Sequence, residues 1–134
     1  MRITADTNVL VRAAVADDPD QARLAAEALR NAEIVAVPLA ALCEFVWVLA
    51  RGYRREVGEI IGAIRHLVDS ATVSTDRPAV DVGLAVMAAG GDFADGVIAF
   101  EGRRLGGTFF ASFDRTAIEL IAATGGETHL LSDA

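Results

Sequence analysis

The sequence predicts an α/β fold in which a parallel sheet is covered by helices on both faces. Three observations carry this expectation. Short β-branched or apolar runs alternate along the chain with segments of helical periodicity. Gly-Gly pairs and prolines punctuate the segments where one element must give way to the next. The third is composition: hydrophobic residues make up 53% of the 134 and mean hydropathy is +0.39, yet no stretch suits a membrane. The longest stretch with a single charge, Ile34 to Ala50, contains Pro38 and Glu44. It falls short of the about 20 apolar residues a spanning helix needs, and a central carboxylate there is costly. A buried two-sided sheet accounts for the apolar excess instead.

Arg2 to Ala5 reads as a first strand, and Asp6-Thr7-Asn8 opens a helix running to Ala16. Asp17-Asp18-Pro19-Asp20 is a turn with the Asp and Pro of a helix start, followed by a helical Gln21 to Asn31. Ile34 to Val37 is a continuous β-branched run, hence a buried strand; Pro38 ends it, and Leu39 to Arg51 follows as a helix. Between Glu56 and Val68, apolar residues at 57, 60, 61, 64, 67 and 68 mark one face of a helix. Ala71 to Ser74 is a short strand, and Arg77 to Ala89 a helix closed by Gly90-Gly91. Asp92 to Arg103 is helical, Thr108 to Ser112 a strand, Arg115 to Thr124 a helix stopped by Gly125-Gly126, and Glu127 to Leu130 the last strand. At this length, residues 1–134 form one domain able to bury a core.

The N-terminus has one arginine and then an acid, unlike a secretory signal. The single cysteine, Cys43, has no intramolecular partner and suits a reducing compartment. A soluble cytoplasmic protein is expected. Net charge is −7 with pI about 4.7, which argues against broad basic-patch binding of nucleic acid. It leaves room for acids that hold a metal and a few arginines that touch phosphate. Every basic residue is arginine, and lysine is absent.

Four acids stand out. Asp6 lies at the C-terminal end of the first strand, where open α/β sheets place ligands, although a helix N-cap explains it equally well. Glu44 is the sole charge between Ile34 and Ala50, flanked by Cys43, Phe45, Val46 and Trp47. A buried isolated carboxylate must be paired, protonated or metal-bound; a salt bridge to an arginine is the structural alternative. Asp92 and Asp95 share a helix face near its N-terminus; Asp92 suits the cap and Asp95 a ligand. Asp114 follows the apolar run 108–113, again at a strand end, with a cap of the next helix as its plainer role. Together the four point to one crevice. Two carboxylates ~4 Å apart repel by roughly 4 kcal/mol at a typical effective dielectric, so such a cluster calls for a cation. Oxygen-only ligation favours Mg²⁺ or Mn²⁺. His66 and His129 lack metal-ligand spacing and read as surface or packing residues.

At Asp6-Thr7-Asn8-Val9-Leu10 the chain resembles the PIN-domain nucleases of the VapC type. The resemblance continues through Glu44 in its apolar helix, the stretch Asp92-Phe93-Ala94-Asp95-Gly96-Val97-Ile98-Ala99, and Phe113-Asp114-Arg115 after the late strand. It implies a three-layer α/β/α sandwich with a central parallel sheet of about five strands. It also implies a catalytic quartet of Asp6, Glu44, Asp95 and Asp114, with Asp6 and Asp95 as direct ligands of Mg²⁺ or Mn²⁺. Metal-dependent endoribonuclease activity on RNA, a homodimer and a cognate VapB-type antitoxin follow from the same resemblance. Gly96 stands where the family usually has alanine, a minor departure that lowers helix propensity but leaves the acids in place. Ser112 matches a position often Ser or Thr and is expected to orient a ligand or water.

Substrate contact falls to arginine. Arg51, Arg54 and Arg55 form the expected phosphate patch, aligned on the Glu44 helix if that helix continues past Gly52, with Arg103, Arg104 and Arg115 behind it. Receiver domains and haloacid-dehalogenase-type phosphatases, which also gather acids around Mg²⁺, each need a lysine that this chain lacks. A catalytically lapsed interaction module of the same fold is the remaining alternative. Phe45, Trp47 and the helix of Ile60 to Val68 are expected to supply apolar surface to dimer and antitoxin interfaces.

Overall fold

The computed structural model describes residues 1–132. It divides into two compact units, Met1–Asp76 and a second beginning at Arg77. Each contains parallel strands and the helices that pack on them.

In the first unit β1 (Arg2–Thr4), β2 (Ile34–Ala36) and β3 (Val73–Ser74) form a three-stranded parallel sheet in the order β1-β2-β3. Ile3 pairs with Val35, and Val35 with Val73. Parallel neighbours need long crossovers. α1 (Thr7–Ala14) and α2 (Pro19–Asn31) make the first; α3 (Leu39–Trp47), a π-helical turn (Val48–Gly52) and α4 (Val57–Val68) make the second. The helices start where their capping residues dictate. Asp6 Oδ1 accepts from the Val9 N–H at 3.1 Å and Asp18 Oδ1 from the Gln21 N–H at 3.1 Å. Pro19 follows as the first residue of α2, where its missing N–H costs nothing. The core comprises Leu10 and Val11 of α1, Val35 of β2, Leu42, Phe45 and Val46 of α3, and Ile60 and Ile64 of α4.

In the second unit α5 (Arg77–Ala88) packs along α6 (Phe93–Arg104), while α7 (Arg115–Ala123) lies on the parallel pair β4 (Phe109–Ser112) and β5 (Glu127–Leu130). Phe93 is fully buried because Gly83 of α5 leaves room for its ring: a Cβ on Gly83 would sit 2.7 Å from two ring carbons. Gly96 faces Gly83 across the same crossing. Its added Cβ would lie 2.8 Å from Gly83 Cα and 2.9 Å from the Val82 carbonyl oxygen. Beyond the lower helix propensity expected at Gly96, the glycine is what lets two helix backbones touch. Each of α5, α6 and α7 ends on a Gly-Gly pair. The first glycine takes a positive φ (Gly90, Gly106, Gly125), and the second donates to a carbonyl five residues back (Gly91 to Val86, Gly107 to Gly102, Gly126 to Ile121), as in the Schellman cap.

The α/β class, the parallel strand direction and the count of five strands agree with expectation. Hydrogen bonding among the described residues joins the strands as a three-stranded and a two-stranded sheet where one central sheet was expected. The element bounds depart by only a few residues. The largest departure follows α3. Helical hydrogen bonding gives way to a π turn at Val48 instead of running on to Arg51.

Candidate active site

The acids expected to act together occupy both units, Asp6 and Glu44 the first and Asp92, Asp95 and Asp114 the second. In the first unit Asp6 directly follows β1 and Ala5, which is 1% exposed. The backbone at Asp6 stays extended (φ −82, ψ 172) while its carboxylate caps α1. One oxygen is engaged by the Val9 N–H, so the other remains available. The next residue, Thr7, donates its Oγ1 hydrogen to Glu44 Oε2 at 2.8 Å. This bond ties the start of α1 to the middle of α3 and brings Glu44 beside the residue that follows Asp6.

Glu44 is exposed, and the expectation of a buried carboxylate is corrected. The reason is angular. Ala41, Leu42, Phe45, Val46 and Leu49 form the inward stripe of the helix, at the i, i+1, i+4, i+5, i+8 spacing of one apolar face. Glu44 falls outside that stripe together with Trp47, which is 63% exposed. Its apolar neighbours in the chain are not its neighbours on the helix surface. The hydrogen bond from Thr7, and not burial, is what orients it.

In the second unit Asp92 caps α6, accepting from the Ala94 N–H at 3.0 Å, as expected. Asp95 sits half-buried in the first turn of α6. Burial raises its carboxyl above the usual aspartate range, and the negative charges of Asp92 and then Asp114 push it further in the same direction. Asp114 caps α7, accepting from the Thr116 N–H at 2.9 Å and the Ala117 N–H at 3.2 Å. Ser112 Oγ accepts from the Asp114 N–H at 3.0 Å. Ser112 thus fixes the backbone from which the Asp114 carboxylate projects.

The donor set is entirely carboxylate oxygen, which fits a hard cation such as Mg²⁺ or Mn²⁺. Asp6, Asp92 and Asp114 each use one oxygen as a helix cap and keep the other. Among the described residues, no group of three or more His, Cys, Asp or Glu side chains closes around a single point as a formed metal cage would. The exposed His66 and His129 belong to no such group.

The arginines follow the end of α3. That helix does not continue past Gly52, so the expected alignment of Arg51, Arg54 and Arg55 on its face is corrected. The Tyr53 N–H donates to the Val48 carbonyl at 3.1 Å and the Arg55 N–H to the Leu49 carbonyl at 2.9 Å, while Arg54 takes φ 53. All three arginines are exposed. Arg55 pairs with Glu59 at 3.6 Å. In the second unit, Arg104 lies 4.5 Å over the Phe100 ring.

Two features went unread in the sequence. One is a network in which the Tyr53 hydroxyl donates to Asp17 Oδ2 at 2.8 Å while Arg12 Nη1 donates to Asp17 Oδ1 at 3.1 Å. The tyrosine hydroxyl, followed by the Arg12 charge, holds the Asp17 carboxyl below the usual range, and Asp17 in turn raises the Tyr53 phenol. The residues lie 36 apart in sequence, so nothing local announces the pairing. The other is an apolar groove of about 700 Å³ in the first unit, lined by Leu10, Ala26, Leu29, Ala63 and Leu67 with Arg30 and His66 among its polar edges. Phe45, expected at the surface, is instead 2% exposed in the core.

Comparison with known proteins adds family information. The PIN domain profile matches residues 3–122. Among solved structures, Mycobacterium tuberculosis VapC20, described as a sarcin-ricin loop cleaving toxin, is similar at 19% identity and TM-score 0.43. The alignment covers 92% of this chain and 95% of that one. Curated proteins gave no match.

Proposed function

The chain belongs to the PIN domain family, and from that membership we propose that it is a divalent-metal-dependent endoribonuclease, the toxin of a VapBC-type toxin–antitoxin pair acting in the cytoplasm. The observation that carries this reading is the placement of three carboxylates in the second unit: Asp95 in the first turn of α6, Asp92 at its cap, and Asp114 capping α7 directly after β4. Burial first, and then the charges of Asp92 and Asp114, raise the Asp95 carboxyl. A protein that keeps like charges so placed gains most when a cation joins them. In this reading Asp6 and Glu44 of the first unit and Asp95 and Asp114 of the second are the catalytic acids, and Asp6 and Asp95 are the residues that ligate Mg²⁺ or Mn²⁺.

When bound, the ion supplies an acidified water and neutralises charge on the leaving oxygen. The chain's own residues do the positioning. Thr7 orients Glu44, which then accepts a proton from the attacking water. Ser112 and the α7 cap hold Asp114. Arg51, Arg54 and Arg55 bind substrate phosphates, and single-stranded or looped RNA is the substrate class, because its backbone can be splayed into a cleft. A homodimer and a VapB-type antitoxin account for the apolar surface that remains outside the core, including Trp47 at 63% and Leu24 at 56% exposure. No helix among the described residues is long and apolar enough to cross a membrane.

The test is cleavage of structured RNA by partner-free protein in Mn²⁺, Mg²⁺ and EDTA, beside Asp6→Asn. Asparagine keeps the capping oxygen of α1 and removes the charge. Cleavage that needs metal and disappears in Asp6→Asn is expected. Cleavage that persists in EDTA, or in the variant, would refute the reading.

A further inference from the structure

The turn that carries Arg51, Arg54 and Arg55 has a backbone that helix propensity alone does not produce. Val48–Gly52 is a π turn at the C-terminal end of α3, closed by the bond from Tyr53 N–H to the Val48 carbonyl. Arg54 occupies the left-handed region at φ 53, where an L side chain is disfavoured and glycine or asparagine would be the ordinary choice. Such a conformation persists where its surroundings over-determine it. The surroundings here are specific. Tyr53, at the centre of the turn, donates its hydroxyl to Asp17 at 2.8 Å, and Arg12 holds the second oxygen of the same carboxylate at 3.1 Å. The turn is therefore pinned to the end of α1, with its backbone fixed at Leu49 on one side and at Tyr53 in the middle.

Stability does not explain this arrangement. Asp17 is exposed, and exposed charge pairs contribute little to folding. What the network does accomplish is to preset the backbone beneath Arg51 and Arg54, exposed guanidinium groups that meet no carboxylate among the described residues. A preset backbone lowers the ordering cost when those groups engage a phosphate. We propose that Tyr53 is a positioning residue for RNA: clamped by Asp17 and Arg12, its hydroxyl holds the 51–55 turn so that Arg51 and Arg54 meet the sugar–phosphate backbone. The proposal rests on the ribonuclease reading above and adds the element that determines how its substrate is held.

The experiment measures binding of a fluorescein-labelled, mixed-sequence single-stranded RNA oligonucleotide in EDTA across a salt series. The proteins are wild type, Tyr53→Phe, Asp17→Ala, Arg54→Ala and the double variant Tyr53→Phe/Arg54→Ala. Melting temperature and the rate of tryptic cleavage within 51–55 are followed for each. Tyr53→Phe is expected to bind roughly three- to tenfold more weakly, the value of one hydrogen bond. Its log–log salt slope should be shallower by about 0.7, as when one phosphate contact to a single strand is lost. Asp17→Ala should do the same, both variants should be cut faster in the turn, and melting should barely move. The double variant should lose less than the sum of the two single losses, because both act on one contact.

Wild-type affinity and slope in both Tyr53→Phe and Asp17→Ala would overturn the proposal and leave the ribonuclease reading standing. So would losses fully additive with Arg54→Ala, or a weakening that tracks melting temperature with an unchanged slope. A wild type that binds no RNA in EDTA would also overturn the proposal, while the ribonuclease reading is decided separately by the cleavage assay with metal.

Discussion

Substituting Gly96 by alanine tests how tightly the two long helices of the second unit are joined. The new Cβ would lie 2.8 Å from Gly83 Cα, 2.9 Å from the Val82 carbonyl oxygen and 3.1 Å from the Gly83 nitrogen. Carbon–carbon contacts are optimal near 3.5–4.0 Å, so α5 must retreat by roughly 0.7–1.2 Å. The atoms met are backbone and cannot rotate away. Overpacking typically costs 1–3 kcal/mol, and a backbone obstacle places this case near the upper end, about 3 kcal/mol. Alanine in place of glycine within a helix returns about 1 kcal/mol. The net expectation is a loss of about 2 kcal/mol, a roughly thirtyfold fall in the folded-to-unfolded ratio.

Gly62 of α4 supplies the control, because a Cβ there meets nothing within 4 Å. Gly62→Ala should gain about 0.5–1 kcal/mol from the same chemical change. The assay is equilibrium urea unfolding followed by far-ultraviolet circular dichroism for wild type and both variants. If Gly96→Ala is as stable as wild type, the helices are not in backbone contact and the account of this crossing is wrong. Gly62→Ala behaving like Gly96→Ala would show that propensity, not packing, had been misjudged.

Two further outcomes follow from the acids. The Asp95 carboxyl is raised in the folded protein. A raised value means that the stability this group contributes is complete at pH below the ordinary aspartate range and is lost as pH climbs through the elevated folded value. Metal-free Asp95→Asn should therefore be more stable than wild type at neutral pH, with a flatter pH profile, and Mn²⁺ should stabilise wild type but not the variant. Equal stability of the two proteins in EDTA across pH 4–7 would count against the like-charge account. At Asp114 the cap and the charge are separable: Asp114→Asn retains an oxygen for the Thr116 and Ala117 N–H groups, whereas Asp114→Ala frees both. Thermal unfolding should show Asp114→Ala destabilised by about 1 kcal/mol and Asp114→Asn nearly unchanged, while both lose RNA cleavage. Retained cleavage in Asp114→Asn would remove Asp114 from the site.

Much of this protein was determined by local sequence. Asp6, Asp18, Asp92 and Asp114 start helices because a short side chain can reach back to an orphan amide. The Gly-Gly pairs stop helices because only glycine adopts the left-handed conformation without penalty. The strands at Ile34–Ala36 and Phe109–Ser112 were legible as short apolar runs, and their parallel direction from the helices between them. The order and spacing of Asp6, Glu44, Asp92, Asp95 and Asp114 carried the family resemblance.

What sequence left open were relations between residues far apart in the chain. Neighbours in sequence suggested that Glu44 was buried, yet the helix turned it away from Leu42, Phe45 and Val46, and its partner proved to be Thr7. Arg54 adopted a conformation no propensity favours, and its neighbour Tyr53 found Asp17 across 36 positions. Gly96 looked like a weak helix residue until Gly83 was placed opposite it. Caps, turns and periodicity act over a few residues and are written in the order of the chain. Exposure, side-chain partners and the room for a single methyl group depend on what packing brings alongside, and only the tertiary structure decided them.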